Sequence, residues 1–258
     1  AVIPYFEKFT SIFSTVRHLA DAPEEKVLSL WSGLGYYSRA RNLHKAAQQM
    51  AQNGIPKTFE GWLEIKGVGP YTAAAISSIA FDQKAAVLDG NVMRVLTRLF
   101  DLNCDISKPA SRTQLQKLAQ ESLLESQASP SAFNQAMMEL GATICTPKNP
   151  SCLLCPLMKP CSAQKAGTVL QRPVKKARRP SEPWLWTVYL VEKNKKIALV
   201  KADNGTPWLK NTWVLPGEAR ALTSKKDTKS DFKHAITHHD IFVQIKKGQF
   251  KHLKRNKV

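Results

Sequence analysis

Cys145-Thr-Pro-Lys-Asn-Pro-Ser-Cys152-Leu-Leu-Cys155-Pro-Leu-Met-Lys-Pro-Cys161 places four of the chain's five cysteines within seventeen residues, with six, two and five positions between them. Thiolates this close, separated by prolines and short polar links, suit one metal centre. Such a loop can wrap four sulfurs around a cube of iron and sulfide or around a single zinc ion. Disulfides are the weaker reading. Cys152 and Cys155 bridge poorly, and without a signal-peptide pattern the expected setting is intracellular and reducing. Zinc loops usually present two separated short pairs, whereas only one short pair occurs here. Spacing alone therefore favours a cluster modestly and leaves zinc open.

Upstream of the loop, apolar residues recur at helical spacing from Ala1 to about Gln127. Val27, Leu28, Leu30 and Trp31 form one such group, and Ala73, Ala74, Ile76, Ile79 and Ala80 another. Breaks fall at Ala22-Pro23, Asn53-Gly54-Ile55-Pro56 and Ser107-Lys108-Pro109. The expectation is a bundle of short helices, with a further helix around Ala132–Thr143 leading into the cysteines. The 258 residues allow two domains. No apolar run approaches the roughly 20 residues needed to cross a bilayer. The chain starts at Ala1, inside what reads as a helix, and is expected to be a fragment.

Downstream the character changes. Residues 171–258 hold 21 Lys and Arg against 7 acids, a surplus of +14, while residues 1–170 hold 17 against 13, or +4. Such a surface suits a polyanion, most often nucleic acid. Residues 169–182, around Gln171-Arg-Pro-Val-Lys-Lys-Ala-Arg-Arg-Pro180, read as a basic linker between an α-helical domain (1–168) and a smaller α+β domain (183–258). In the latter, Trp184–Val191 and Ile197–Val200 read as strands, with a hairpin turn at Glu192–Lys196. Phe250–Val258 is a basic run with no clear terminal element.

Two motifs carry chemistry. In Leu63-Glu-Ile-Lys66-Gly67-Val68-Gly69-Pro70-Tyr71-Thr72, two glycines flank one apolar residue between helical stretches. The turn turns backbone N–H groups outward, and a helix N-terminus at Pro70 adds donors that can hold a DNA phosphate without reading sequence. About twenty residues later, Asp89 in Val87-Leu-Asp89-Gly90-Asn91 stands where a loop opens into a helix. By itself it is as well explained as a helix cap.

Hairpin, Asp89 and four-cysteine loop, in this order, resemble the endonuclease III (helix–hairpin–helix) superfamily of base-excision DNA glycosylases. Within it, the match is to adenine glycosylases of the MutY type. Trp31-Ser-Gly-Leu-Gly-Tyr-Tyr-Ser-Arg-Ala-Arg-Asn-Leu-His44 and Phe133-Asn-Gln-Ala-Met-Met-Glu-Leu-Gly-Ala142 are close to that family's signatures. The resemblance is specific to about residue 165 and fainter beyond. It implies a [4Fe-4S] cluster on Cys145, Cys152, Cys155 and Cys161. It also makes Asp89 the catalytic carboxylate facing the sugar, Tyr71 and Asn91 residues of the base pocket, and Tyr36 an aromatic wedge beside the lesion. Lys66, Gly67, Val68 and Gly69 become the phosphate-holding hairpin, with Arg39, Arg41 and Lys45 as nearby basic residues for DNA. Bifunctional relatives carry a nucleophilic Lys where this chain has Tyr71, so the enzyme resembled is monofunctional and leaves an abasic site. Lys66 departs from the Pro usual at its position and reads as a phosphate contact.

The same resemblance places the family's general-acid Glu upstream of Ala1, and Glu7 falls beyond that position facing solvent. The 258-residue chain alone is thus expected to be nearly inactive, since general acid–base help is worth about 10²–10⁴-fold. The second domain resembles the MutT-like (Nudix) domain that reads 8-oxoguanine. Trp208–Gly217 matches one of its segments and Phe232-Lys-His-Ala-Ile-Thr237-His238-His239 its recognition loop, with Thr237 at a Ser position and Ile236 in place of a Phe. Thr237 and His238 are the recognition residues so implied, and the pyrophosphatase signature is absent. The implied partner is duplex DNA holding adenine opposite 8-oxoguanine or guanine, bound by a monomer. The location would be the bacterial cytoplasm, or the nucleus or mitochondrion of a eukaryote, with no membrane involved. Three rival readings are an endonuclease III-like lyase acting on oxidised pyrimidines, a non-catalytic DNA-damage binding module and a zinc-stabilised DNA-binding protein. Cys104 stands outside the loop and reads as a buried thiol.

Overall fold

The structure, a computed structural model, describes residues 2–174, 180–202, 208, 213–224 and 229–248. The chain divides into two compact units, Ala1–Lys176 and Ala177–Val258.

The first unit is helical: α1 (Ile3–Ile12), α2 (Val16–Ala20), α3 (Glu24–Leu30), α4 (Tyr37–Asn53), α5 (Phe59–Leu63), α6 (Pro70–Phe81), α7 (Gly90–Leu99), α8 (Pro109–Glu125), α9 (Pro130–Glu139) and α10 (Ser162–Ala166). The expected breaks all coincide with helix ends. Pro23 precedes α3, Gly54 ends α4 at φ +84°, and Pro109 opens α8, because a proline at the first helical position lacks only an N–H that has no partner there. Three apolar cores result. Phe13, Leu19, Val27, Ala40 and Ala47 bury α1–α4; Trp62, Ile65, Ala46 and Ala73 clamp α5 and α6 onto α4; Val92, Leu96, Leu115 and Leu123 join α7 to α8. The helix expected at 132–143 is α9, capped by Ser129, continued by one wide turn, Leu140–Ile144, in which the Cys145 N–H reaches the Leu140 carbonyl at 2.7 Å.

One boundary differs from expectation. Residues 169–174 are not free linker: Val169–Gln171 forms a short turn, Arg172 pairs with Asp101 at 2.9 Å, and Val174 bridges to Asp105. Part of the linker, residues 175–179, lies outside the described residues, as do residues 209–212 of the Trp208–Gly217 segment and the basic run from Phe250. Cys104 is half-buried rather than enclosed.

In the second unit β1 (Glu182–Leu190), β2 (Glu192–Lys193), β3 (Lys196–Ile197), β4 (Val200–Lys201), β5 (Trp213–Val214), β6 (Gly217–Ala221), β7 (Phe232–Ile236) and β8 (His239–Lys247) are the strands. The main sheet runs β6-β1-β8-β7, with β1 parallel to β8 and the other pairs antiparallel. The expected α component does not occur among the described residues, which form strands and loops only. The expected turn at Glu192–Lys196 exists, but it closes only the short pair β2–β3. Asn194 and Lys195, at φ +51° and +59°, make it the tight left-handed type that matches strand twist. The long strand β1 instead finds its partners far along the chain. Val188, Ile241 and Val243 form the core of this sheet, with Trp186, Trp208 and Leu215 against it. No helix among the described residues is long and apolar enough to cross a membrane.

Candidate active site and thiol pocket

The segment Glu64–Gly69 turns between α5 and α6. Gly67 sits at φ +86°, and a Cβ there would run into the side chain of Asn42 on α4. The missing side chain lets α4 lie against the turn, and α4 braces it: Gln49 donates to the Glu64 carbonyl at 2.9 Å and accepts from the Lys66 N–H at 3.0 Å. The Val68 N–H is spent on the Ile65 carbonyl. Gly67 and Gly69 N–H groups make no hydrogen bond among the described residues, Gly69 faces open space, and no side chain caps α6. The turn and the first turn of α6 thus present free donors and the positive end of a helix dipole to solvent, with exposed Lys66 alongside.

Arg39, Asn42, Ala46 and Gln49 recur at three- and four-residue spacing along α4 and share its hairpin-facing stripe. At the start of α4, Tyr36 is 72% exposed and held left-handed at φ +50°. Gly33 and Gly35 precede it with positive φ, and the Trp31 indole N–H fastens the turn to the Gly35 carbonyl at 3.0 Å. The Tyr36 ring lies 4.6 Å from the Arg39 guanidinium carbon. An exposed, backbone-strained tyrosine under a cation is a poor core residue and a good surface contact. Arg41 is paired with Glu24 at 3.2 Å, both partners half-exposed.

Asp89 caps α7: its Oδ1 accepts from the N–H groups of Asn91 at 2.9 Å and Val92 at 2.7 Å. The cap reading of this residue is therefore correct, and it accounts for only one carboxylate oxygen. Oδ2 accepts from the Asn91 side chain at 3.1 Å. The loop before Asp89 is tied to α9 by Asn134, which is 1% exposed. Asn134 accepts from Val87 N–H at 2.9 Å and donates to the Ala85 carbonyl at 2.9 Å and the Ser78 hydroxyl at 2.8 Å. Helix α9 packs on both α6 and α7. Tyr71, 46% exposed on the first turn of α6, reaches Met138 of α9, Oη to Sδ at 3.8 Å. Asp89, Asn91 and Tyr71 are thus all carried on helix starts held by α9.

The four cysteines Cys145, Cys152, Cys155 and Cys161 line a single pocket with Arg98, Ile144, Pro150, Met158, Gln164 and Val169. None is in a disulfide. Burial pushes the Cys152 and Cys155 thiols up, and the neighbouring thiolates of Cys145 and Cys161 add to the rise. Repulsion among clustered thiolates is what a bound cationic centre relieves, so the donor set fits one.

Sequence reasoning missed the residues that join the two sites. Arg94 on α7 donates to the Asn91 side chain at 3.0 Å, to the Cys145 carbonyl at 2.7 Å and to the Gly141 carbonyl. Burial lowers its pKa, the Cys145 thiolate opposing. One turn on, Arg98 is 2% exposed and directs its guanidinium to the carbonyls of Thr146 (2.7 Å), Val169 (2.9 Å), Arg172 (3.1 Å) and Pro147 (3.1 Å), and to Cys145 Sγ at 3.3 Å. Gly141 has no Cβ because Asn91 would occupy that space. A continuous path, Asp89–Asn91–Arg94–Cys145, therefore links carboxylate to thiol pocket. The sequence signal was the spacing of Asn91, Arg94 and Arg98, which share one face of α7.

Residues 1–121 match the family described as HhH-GPD superfamily base excision DNA repair protein. An adenine DNA glycosylase of Buchnera aphidicola subsp. Baizongia pistaciae is 33% identical over 260 aligned positions, covering 94% of this chain and 72% of the relative. The chain belongs to the adenine DNA glycosylase family. The family member of Schizosaccharomyces pombe is 41% identical over 172 residues, and the human one 45% over 168; the chain spans 37% and 30% of their lengths. Among solved structures, a thermostable thymine-DNA glycosylase superposes with TM-score 0.57 at 28% identity, covering 64% of this chain and 76% of that one. A trapped endonuclease III–DNA covalent intermediate superposes at 0.51 and 24% identity, which shows the shared fold. The helical glycosylase fold expected of the first unit is thus established for this family member.

Proposed function

We propose that this chain carries the catalytic core of a monofunctional adenine DNA glycosylase, which hydrolyses the N-glycosidic bond of adenine paired with 8-oxoguanine or guanine in duplex DNA. The observation that carries the reading is the setting of Asp89: a carboxylate fixed at a helix start, with Tyr71 at the start of α6 and α9 supporting both helices. Departure of adenine leaves positive charge on the deoxyribose, and a carboxylate held by backbone donors stabilises it without having to reorganise. The adenine must first leave the stack. Free N–H groups of Gly67 and Gly69 with Lys66 would grip a phosphate, exposed Tyr36 would fill the gap in the duplex, and Arg39 and Arg41 would add charge beside it. Tyr71 offers no amine for a Schiff base, which argues against lyase chemistry.

Cys145, Cys152, Cys155 and Cys161 would hold a [4Fe-4S] cluster, which would tie the loop together. Four sulfurs lining one pocket support a single metal centre, and the family resemblance favours a cube over a lone zinc ion. The second unit is read as a Nudix-like recognition domain. Thr237, exposed and left-handed at φ +56° at the tip of the β7–β8 turn, would offer its hydroxyl to the oxidised base beside His238. That hydroxyl now donates to the Ile236 carbonyl at 2.7 Å and would swing outward. The test is adenine release from duplexes with adenine opposite 8-oxoguanine, guanine or thymine, together with iron and sulfide analysis. Release from the first two only, by brown, iron-containing protein that spans the family's full length, is expected. Equal release opposite thymine, or zinc in place of iron, would contradict it.

A further inference from the structure

Glu182 opens β1, and the two-residue turn Thr237-His238 joins β7 to β8. In the parallel register Glu182 lies opposite His239, and its N–H donates to the His238 carbonyl at 2.8 Å. Backbone pairing therefore fixes these three residues together whatever their side chains do. The side chains converge as well: Glu182 Oε1 stands 3.7 Å from His238 Nε2 and Oε2 stands 3.6 Å from His239 Nε2, and one ligand atom from each residue lies within 4.8 Å of the others. The His238 and His239 ring centroids are 4.0 Å apart.

Those separations are too long for good hydrogen bonds, which close at about 2.7–3.2 Å. They approach the spacing of donors around a small ion: bonds of about 2.0–2.2 Å in a tetrahedron put ligand atoms roughly 3.3–3.5 Å apart. The His239 ring is lodged beside the indoles of Trp184 and Trp208, with centroids 5.9 and 5.6 Å away. Its buried Nδ1 has no hydrogen bond among the described residues, so indole packing fixes the ring's aim. Glu182 and His238 are exposed, which leaves the space open to an entering ion.

We propose that Glu182, His238 and His239 form a binding site for a zinc-class divalent cation, carried wholly by the second unit. Two imidazoles and one carboxylate select zinc and its transition-metal neighbours over magnesium or calcium, which prefer all-oxygen sets. Three protein ligands leave one position for water. A bound ion would clamp the start of β1 to the β7–β8 turn.

The experiment is calorimetric titration of zinc into the full chain, beside Glu182→Gln, His239→Ala and Cys152→Ala. Glu182→Gln keeps the size of the side chain and the backbone bond to His238, so its loss of binding cannot be put down to misfolding. The wild type should take up one more zinc equivalent than Glu182→Gln or His239→Ala, or bind it at least ~10-fold more tightly. Cys152→Ala should retain that same event. Identical stoichiometry and affinity in the wild type, Glu182→Gln and His239→Ala would overturn the proposal.

Discussion

Asp89 performs two jobs with two oxygens. Oδ1 is spent on capping α7, and among the described residues Oδ2 accepts a hydrogen bond from the Asn91 amide, so the charge lies at the face of the helix start. Arg98 shows the opposite economy: every arm of a buried guanidinium is engaged with a carbonyl or a sulfur of the cysteine loop and its sequel. Removing it strands several buried acceptors at once. Arg98→Ala should lower stability by about 3 kcal/mol or more, and Arg98→Lys should not rescue it, because three donors on a flexible stem cannot replace a planar fork of five. Thermal unfolding and iron content check both variants. A wild-type melting temperature in Arg98→Ala would mean that the loop holds itself.

At the scale of elements, the hairpin depends on close approach. Gly67→Ala would both strain a left-handed backbone and drive a methyl into Asn42, which must move and loosen the contact of α4 with the turn. The expected cost is about 1–3 kcal/mol in a melt. Duplex affinity should fall about tenfold, because the phosphate donors lose their alignment. The cysteine loop has its own signature. Cys152 and Cys155 are raised above the ordinary thiol value of 9.0 in the metal-free fold. A folded value above the unfolded one adds stability that is complete below the unfolded value and is lost as pH rises through the folded value. Metal-free protein should therefore weaken on the alkaline side, from about pH 9 upward. Metal-loaded protein, its thiolates already ligated, should show no such step; denaturant melts across this range would tell them apart.

For the whole molecule, the helical bundle was legible because prolines and glycines mark most helix starts of the first unit. The cysteine spacing likewise marked a pocket that all four sulfurs line. Less was legible where pairing is non-local. The parallel partner of β1 lies some fifty residues away, and nothing in Trp184–Val191 names it. The buried bonds of Arg94, Arg98 and Asn134 were harder to read, since the spacing of Asn91, Arg94 and Arg98 puts them on one helix face without naming their partners. On the proposed reading, Asp89 acts through its charge rather than its cap. Asn is as good a cap as Asp, so Asp89→Asn removes the charge and spares the fold. The measurement is single-turnover adenine release from a duplex with adenine opposite 8-oxoguanine. It compares Asp89→Asn with the parent, in a chain extended upstream to span more of the family's length. A loss of about 100-fold or more with duplex affinity preserved is the expected result. Release within about threefold of the parent would contradict the assignment of Asp89.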